Sequence, residues 1–165
     1  MKHALTIQFL TEKEYEDSIK LNKNHVIIPN GFERPSRVKE VFSNQGIRAL
    51  FIGRIDIYHK GLDLIINACK KLQDELREAK FEMTFDGPNG RDYVNFKLLI
   101  DKSGVSDFVR LRGEVSGETK EQIILDSDVF VMTSRFEGHP MGLIEALAYG
   151  LPSLVTRGTN MADEI

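Results

Sequence analysis

Residues 134–145 read Ser-Arg-Phe-Glu-Gly-His-Pro-Met-Gly-Leu-Ile-Glu, and the rest of the chain makes sense around them. The apolar run Asp128-Val-Phe-Val-Met-Thr133 enters this stretch as a buried strand does. A helical pattern, Leu143-Ile-Glu-Ala-Leu-Ala148, leaves it. Gly150 and Pro152 then stop that helix. Glu137, Gly138, His139 and Pro140 therefore fall in a strand-to-helix loop. Such loops lie at the carboxyl ends of strands, where open α/β sheets bind ligands. The helix starts at Met141 and Gly142, so free N–H groups and the positive end of its dipole face the loop. That end suits a phosphate or a sugar hydroxyl oxygen. Glu145, one turn into the helix, can point back toward the same pocket. Two carboxylates eight residues apart can then face one ligand.

Outward from this centre, strands and helices alternate. Ile47–Ile52 is a continuous apolar strand apart from Arg48, closed by Gly53-Arg54. A helix is expected from about Lys60-Gly61, with a buried stripe of Leu62, Leu64, Ile65, Ala68, Cys69 and Leu72. Phe81–Phe85 alternates as a strand and ends at Asp86-Gly-Pro88. A helix follows from Val94 to Ile100 and stops near Gly104. Phe108–Leu111 is the next strand, and Ser116 is positioned to cap the helix holding Ile123, Ile124 and Leu125. A last strand spans Pro152 to Thr156. Nearer the start, Ala4–Leu10 reads as a strand. Thr11-Glu-Lys-Glu14 is a capping box for a helix reaching about Asn22. His25–Pro29 is a strand turned by Asn30-Gly31. Strands that are apolar on both faces, separated by helices, give an α/β fold. It is a doubly wound parallel sheet of about six strands with helices on both sides.

At 165 residues the chain fits one domain with a real core. Its 28% charged and 41% hydrophobic residues are ordinary for a globular protein. The net charge of −3 argues against nucleic acid as a partner. No apolar run approaches a membrane span of about 20 residues. The single Cys69 sits in a helical apolar pattern, as a buried, unreactive thiol would. With no signal-peptide pattern either, a cytoplasmic location is expected.

Glu137-Gly138-x-Pro140, followed by Glu145 with seven residues between the two carboxylates, resembles the signature of the family 4 retaining glycosyltransferases, also called group 1. Phe51-Ile-Gly-Arg54, Lys60-Gly61, Asp86-Gly87-Pro88, Leu111-Arg-Gly113 and Ala148-Tyr-Gly-Leu-Pro152 follow in that family's order and spacing. The likeness runs from roughly Val26 to Ile165. It implies one half of a GT-B fold, a Rossmann-like donor domain of a two-domain enzyme of polysaccharide biosynthesis. Residues 25–165 would form that domain, incomplete at its C-terminus, where Met161–Ile165 looks like the start of a further helix. Residues 1–24 would be the tail of an N-terminal, acceptor-binding domain that is otherwise missing. The full-length parent could then associate peripherally with a membrane surface.

The resemblance also assigns roles. Gly53, Arg54 and Lys60 would bind the diphosphate of a nucleoside diphosphate sugar, so that no metal or other cofactor is needed. Glu137 would bond the donor sugar and stabilise charge near the anomeric carbon, the one catalytic candidate. Gly138, His139, Met141, Gly142 and Leu143 would meet the sugar and phosphate, largely through backbone N–H groups. Glu145 would accept the ribose hydroxyls, and Gly113, Glu114 and Val115 would border the base. Each has a plainer alternative. Arg54 and Lys60 read equally as solvated cations, Glu145 as a dipole-favoured helix residue, and Glu137 as a loop carboxylate capping amides. His139 and His59 read as solvent-facing. The implied reaction is hexosyl transfer with retention, by front-face attack assisted by the leaving phosphate. The alternatives are a non-catalytic nucleotide-sugar-binding module and a GT-B nucleotide-sugar epimerase.

Overall fold

The computed structural model describes residues 4–20, 22–162 and 165. Strands β3 (Ile47–Ile52), β4 (Phe81–Asp86), β5 (Val109–Gly113), β6 (Val129–Met132) and β7 (Ser153–Val155) form one sheet in the order β5-β4-β3-β6-β7. Every neighbouring pair is parallel. The expected doubly wound α/β architecture is the one observed. The sheet has five strands, however, not about six. The two earlier strands, β1 (Ile7–Phe9) and β2 (His25–Ile27), pair in parallel with each other in a separate sheet. Residues on both sides of position 24 thus share hydrogen bonds.

Alternation along β3 builds both layers of the core. Ala49 and Phe51 face one side, where α2 (Leu62–Lys71) and α4 (Tyr93–Ser103) cover them with Leu62, Ile65, Ile66, Cys69, Phe96 and Ile100. Leu50 and Ile52 face the other, against Ile124 of α5 (Gly117–Asp126) and Leu143 and Ala146 of α6 (Met141–Ala148). A strand buried on both faces needs this unbroken apolar run. Burial pushes the Cys69 thiol up to about 11, so it stays an uncharged core group.

Several local expectations are corrected. The buried stripe of α2 is Leu62, Ile65, Ile66 and Cys69, while Leu64, Ala68 and Leu72 are exposed. Its continuation is a separate short helix, α3 (Gln73–Glu78). Helix α1 (Glu12–Asp17) ends well before Asn22, because Ser18 is extended and bonds back to Tyr15 and Glu14. Thr11 does cap it, accepting from the Glu14 N–H at 3.1 Å. The Glu14 carboxylate, however, reaches back to the Leu10 N–H rather than that of Thr11. Ser116 occupies the N-cap of α5 without a side-chain cap bond. Of the helix start expected at Met161–Ile165, Asp163 and Glu164 lie outside the described residues, and Met161, Ala162 and Ile165 are in no helix.

The order of the strands fixes where a crevice opens. From β3 the chain goes to β4 on one side, whereas β6 lies on the other. The loops leaving β3 and β6 therefore flank the switch point of the sheet at its carboxyl edge, where such folds bind ligands.

Candidate functional site

Two loops build the site: residues 53–61 after β3 and residues 133–140 after β6. They are locked together. Gly61 has φ +60, and a Cβ there would lie 2.0 Å from the Thr133 carbonyl oxygen. Only glycine fits that approach and that backbone. The Thr133 hydroxyl donates to the Gly61 carbonyl at 2.7 Å. The Arg135 N–H donates to the His59 carbonyl at 2.9 Å. Its guanidinium forms a fork on Asp63 of α2, at 2.8 and 2.7 Å, and also reaches the Tyr58 carbonyl. That fork holds the Asp63 carboxyl below its usual range. Two strands far apart in sequence thus present one continuous rim.

On this rim the Lys60 ammonium meets the Glu137 carboxylate at 2.5 Å. The Ser134 hydroxyl donates to the same oxygen at 2.7 Å, and Ser134 is itself buried. His59 is not the solvent-facing residue expected. Its Nε2 lies 2.7 Å from the Phe136 carbonyl oxygen and 4.0 Å from Glu137. Its ring stacks on Phe136 with centroids 4.3 Å apart, and its Nδ1 lies 3.2 Å from the Arg54 guanidinium. Arg54, His59, Lys60 and Glu137 therefore form one polar cluster. A cavity of about 390 Å³ opens beside it, lined by His59, Phe136, Glu137 and Gly138 on one side and by Glu14, Asp17 and Ser18 on the other.

Helix α6 starts against the end of β3. A Cβ on Gly142 would lie 2.6 Å from the Ile52 carbonyl oxygen, so this helix start sits closer than any side chain allows. Met141 and Gly142 lie in the first turn, whose N–H groups have no intrahelical acceptor. Leu143 differs from expectation, because its N–H donates to the Pro140 carbonyl at 3.1 Å. His139 is also corrected. It is part-buried, and its Nδ1 accepts from the Asn30 N–H at 3.1 Å. The Asn30 amide donates to its carbonyl at 3.0 Å. His139 thus anchors the Asn30-Gly31 turn beside the site.

Glu145 is only 9% exposed and takes a cation of its own, Lys120 of α5. The two carboxylates of the central motif are therefore matched to two different lysines. Gly113, at the end of β5, has φ +116 and accepts from the Gly87 N–H at 2.7 Å, and Glu114 beyond it is exposed. Next to it in sequence, Arg112 joins two of the quoted motifs through a contact that the sequence did not reveal. Asp86 is fully buried, yet Arg112 forks onto it at 2.9 and 2.5 Å. Burial raises the Asp86 carboxyl, with Arg112 opposing.

The glycosyl transferases group 1 family matches residues 32–165. The chain belongs to this family. Among its relatives, mannosylfructose-phosphate synthase of Agrobacterium fabrum is 28% identical over 152 residues, covering 82% of this chain and 33% of that protein. The chain thus spans about a third of this relative's length. Sucrose-phosphate synthase of Thermosynechococcus elongatus superposes with a TM-score of 0.79 at 17% identity, over 98% of this chain and 43% of that one. The pneumococcal O-GlcNAc transferase GtfA, solved in complex with UDP and GlcNAc, gives 0.68 at 22% identity, over 91% and 29%. These likenesses establish the glycosyltransferase fold. Among the described residues no helix is long and apolar enough to cross a membrane.

Proposed function

We propose that this chain is the donor-binding part of a retaining hexosyltransferase, and that it holds a nucleoside diphosphate sugar without a metal. The observation that carries the reading is the convergence of Arg54, Lys60, Ser134 and Glu137 at the switch point, next to the start of α6. A breaking glycosidic bond leaves negative charge on a diphosphate. Arg54, Lys60 and the N–H groups of Met141 and Gly142 are positive groups on this rim, and together they offset that charge, while Arg135 is held by Asp63. Lys60 has three donors, so it can keep Glu137 while turning another toward phosphate. Glu137 then faces the sugar, with its charge held in place by Ser134 and Lys60. Glu145 takes the ribose, and Gly113 to Val115 border the base. The pneumococcal relative of the same fold was solved with UDP and GlcNAc, which supports a nucleotide of this class.

In the reaction we propose, an acceptor hydroxyl oxygen bonds to the anomeric carbon as the bond from that carbon to phosphate breaks. The hydroxyl proton passes to the departing phosphate oxygen, on the same face. Glu137 is the carboxylate nearest the sugar in this arrangement.

The test is a thermal-shift screen of UDP-, GDP- and ADP-sugars, with and without EDTA. One base series should raise the Tm by about 5–10 °C at about 100 times its Kd. EDTA should leave the shift unchanged. Failure of all three series to stabilise the chain would overturn the reading, and loss of the shift in EDTA would overturn its metal independence.

A further inference from the structure

Lys120 lies outside every motif that marks the site. It sits on α5, whereas Glu145 sits on α6, and both helices cover the same face of the sheet. The Lys120 ammonium contacts Oε2 of Glu145. The Glu145 side chain is 12% exposed and that of Lys120 26%. A carboxylate so far removed from water needs a fixed counter-charge to remain ionised in place.

We propose that Lys120 is a positioning residue for ribose recognition. Resting on the donor-binding role given to Glu145 above, it holds that carboxylate in the orientation that accepts the sugar's two hydroxyls. The argument is one of atoms. A carboxylate that accepts from two neighbouring hydroxyls must keep both its position and its charge. Lys120 occupies Oε2 from the α5 side and leaves Oε1 to accept from the ribose. The ion pair adds a directional constraint to the packing around this side chain. A glutamate has three side-chain torsions to hold. The ion pair with a neighbouring helix holds their far end. Lys120 thereby acts through Glu145 and sets how strongly the site prefers a ribonucleotide over its 2′-deoxy counterpart.

The opposite reading gives the opposite sign. If Lys120 merely quenches Glu145 and competes with the ribose, removing it should strengthen binding. The experiment is calorimetry of UDP, GDP and ADP, and of their 2′-deoxy forms, on the wild-type chain and on Lys120→Met, Lys120→Gln and Lys120→Arg. The wild type should prefer the ribo form of its nucleotide. In Lys120→Met and Lys120→Gln that preference should fall about 10-fold, by weakening of the ribo form alone. Lys120→Arg should restore part of it. The use of a ratio separates this role from a general loss of stability, which would weaken both forms equally. An unchanged ratio in both neutral variants, or tighter ribonucleotide binding, overturns the proposal. A wild type that binds nucleotide with no ribo preference overturns instead the ribose role of Glu145, and one that binds none of the three overturns the donor reading itself.

Discussion

Lys60 and Glu137 stand 77 residues apart and share a contact of 2.5 Å. Replacing Lys60 with Ala should weaken nucleoside diphosphate binding by about 10- to 150-fold, since one charge-assisted bond is lost. Calorimetry checks this. The fold should survive, because Ser134 still donates to Glu137. Glu137→Ala should reduce turnover of a full-length parent more than nucleotide affinity, whereas Glu145→Ala should weaken binding itself; steady-state kinetics beside calorimetry separates the two. Glu137, Glu145, Arg54 and Lys60 were singled out through motifs whose order and spacing resemble the family's, since each residue alone reads as well as a solvated cation, a loop carboxylate or a dipole-favoured helix residue. His59, Ser134, Arg135 and Lys120 were not. Their partners lie far along the chain, or in the case of Ser134 inside a loop, and such contacts leave no local period. His139 misled for the same reason, its partner Asn30 being 109 residues away.

Among the elements, β3 is tied to its surroundings by Asp128, just before β6. Burial pushes this carboxyl up, but the Ser43 and Arg48 N–H groups and the Arg48 guanidinium outweigh it and hold the value at about 2. A depressed carboxyl stabilises the fold above its unfolded value of 3.8 and loses that contribution as pH falls toward 2. Urea midpoints measured between pH 5 and 2 should therefore fall more steeply below pH 4 in the wild type than in Asp128→Asn. The difference should be about 1–2 kcal/mol after allowing for screening. The Arg135–Asp63 fork acts differently, since both side chains are partly solvated. Arg135→Ala should barely move the global urea midpoint, yet speed amide exchange across 133–140. The order and type of the central elements were readable from the sequence. The α2 stripe came out partly wrong, because Leu64 and Leu72 are apolar yet face water, and apolar identity alone cannot show which side meets the sheet.

Across the whole molecule, the core rests on large side chains meeting over the sheet. Phe85 contacts Phe96 edge-on at 4.8 Å and Phe51 at 5.7 Å, all three fully buried. Phe85→Ala should cost about 3–5 kcal/mol, read by chemical denaturation. The overcount of strands arose because β1 and β2 have the right pattern but pair with each other, and a pattern does not name its partner. On the donor-binding reading proposed above, the 165 residues tested by themselves should bind donor without transferring sugar. Transfer needs an acceptor held about 3–3.5 Å from the anomeric carbon, and that reading assigns no residue here to hold one. A radiolabelled-sugar assay with the 165-residue chain should detect at most trace donor hydrolysis. The glycine that lets residue 61 touch the Thr133 carbonyl also bears on how such enzymes can be recombined. A chimaera that imports residues 133–140 from a relative, in order to change sugar preference, brings in a surface shaped for another partner loop. Segments 53–63 and 133–140 should be inherited as a pair, and libraries that shuffle them independently should be dominated by clones that fold but bind no donor.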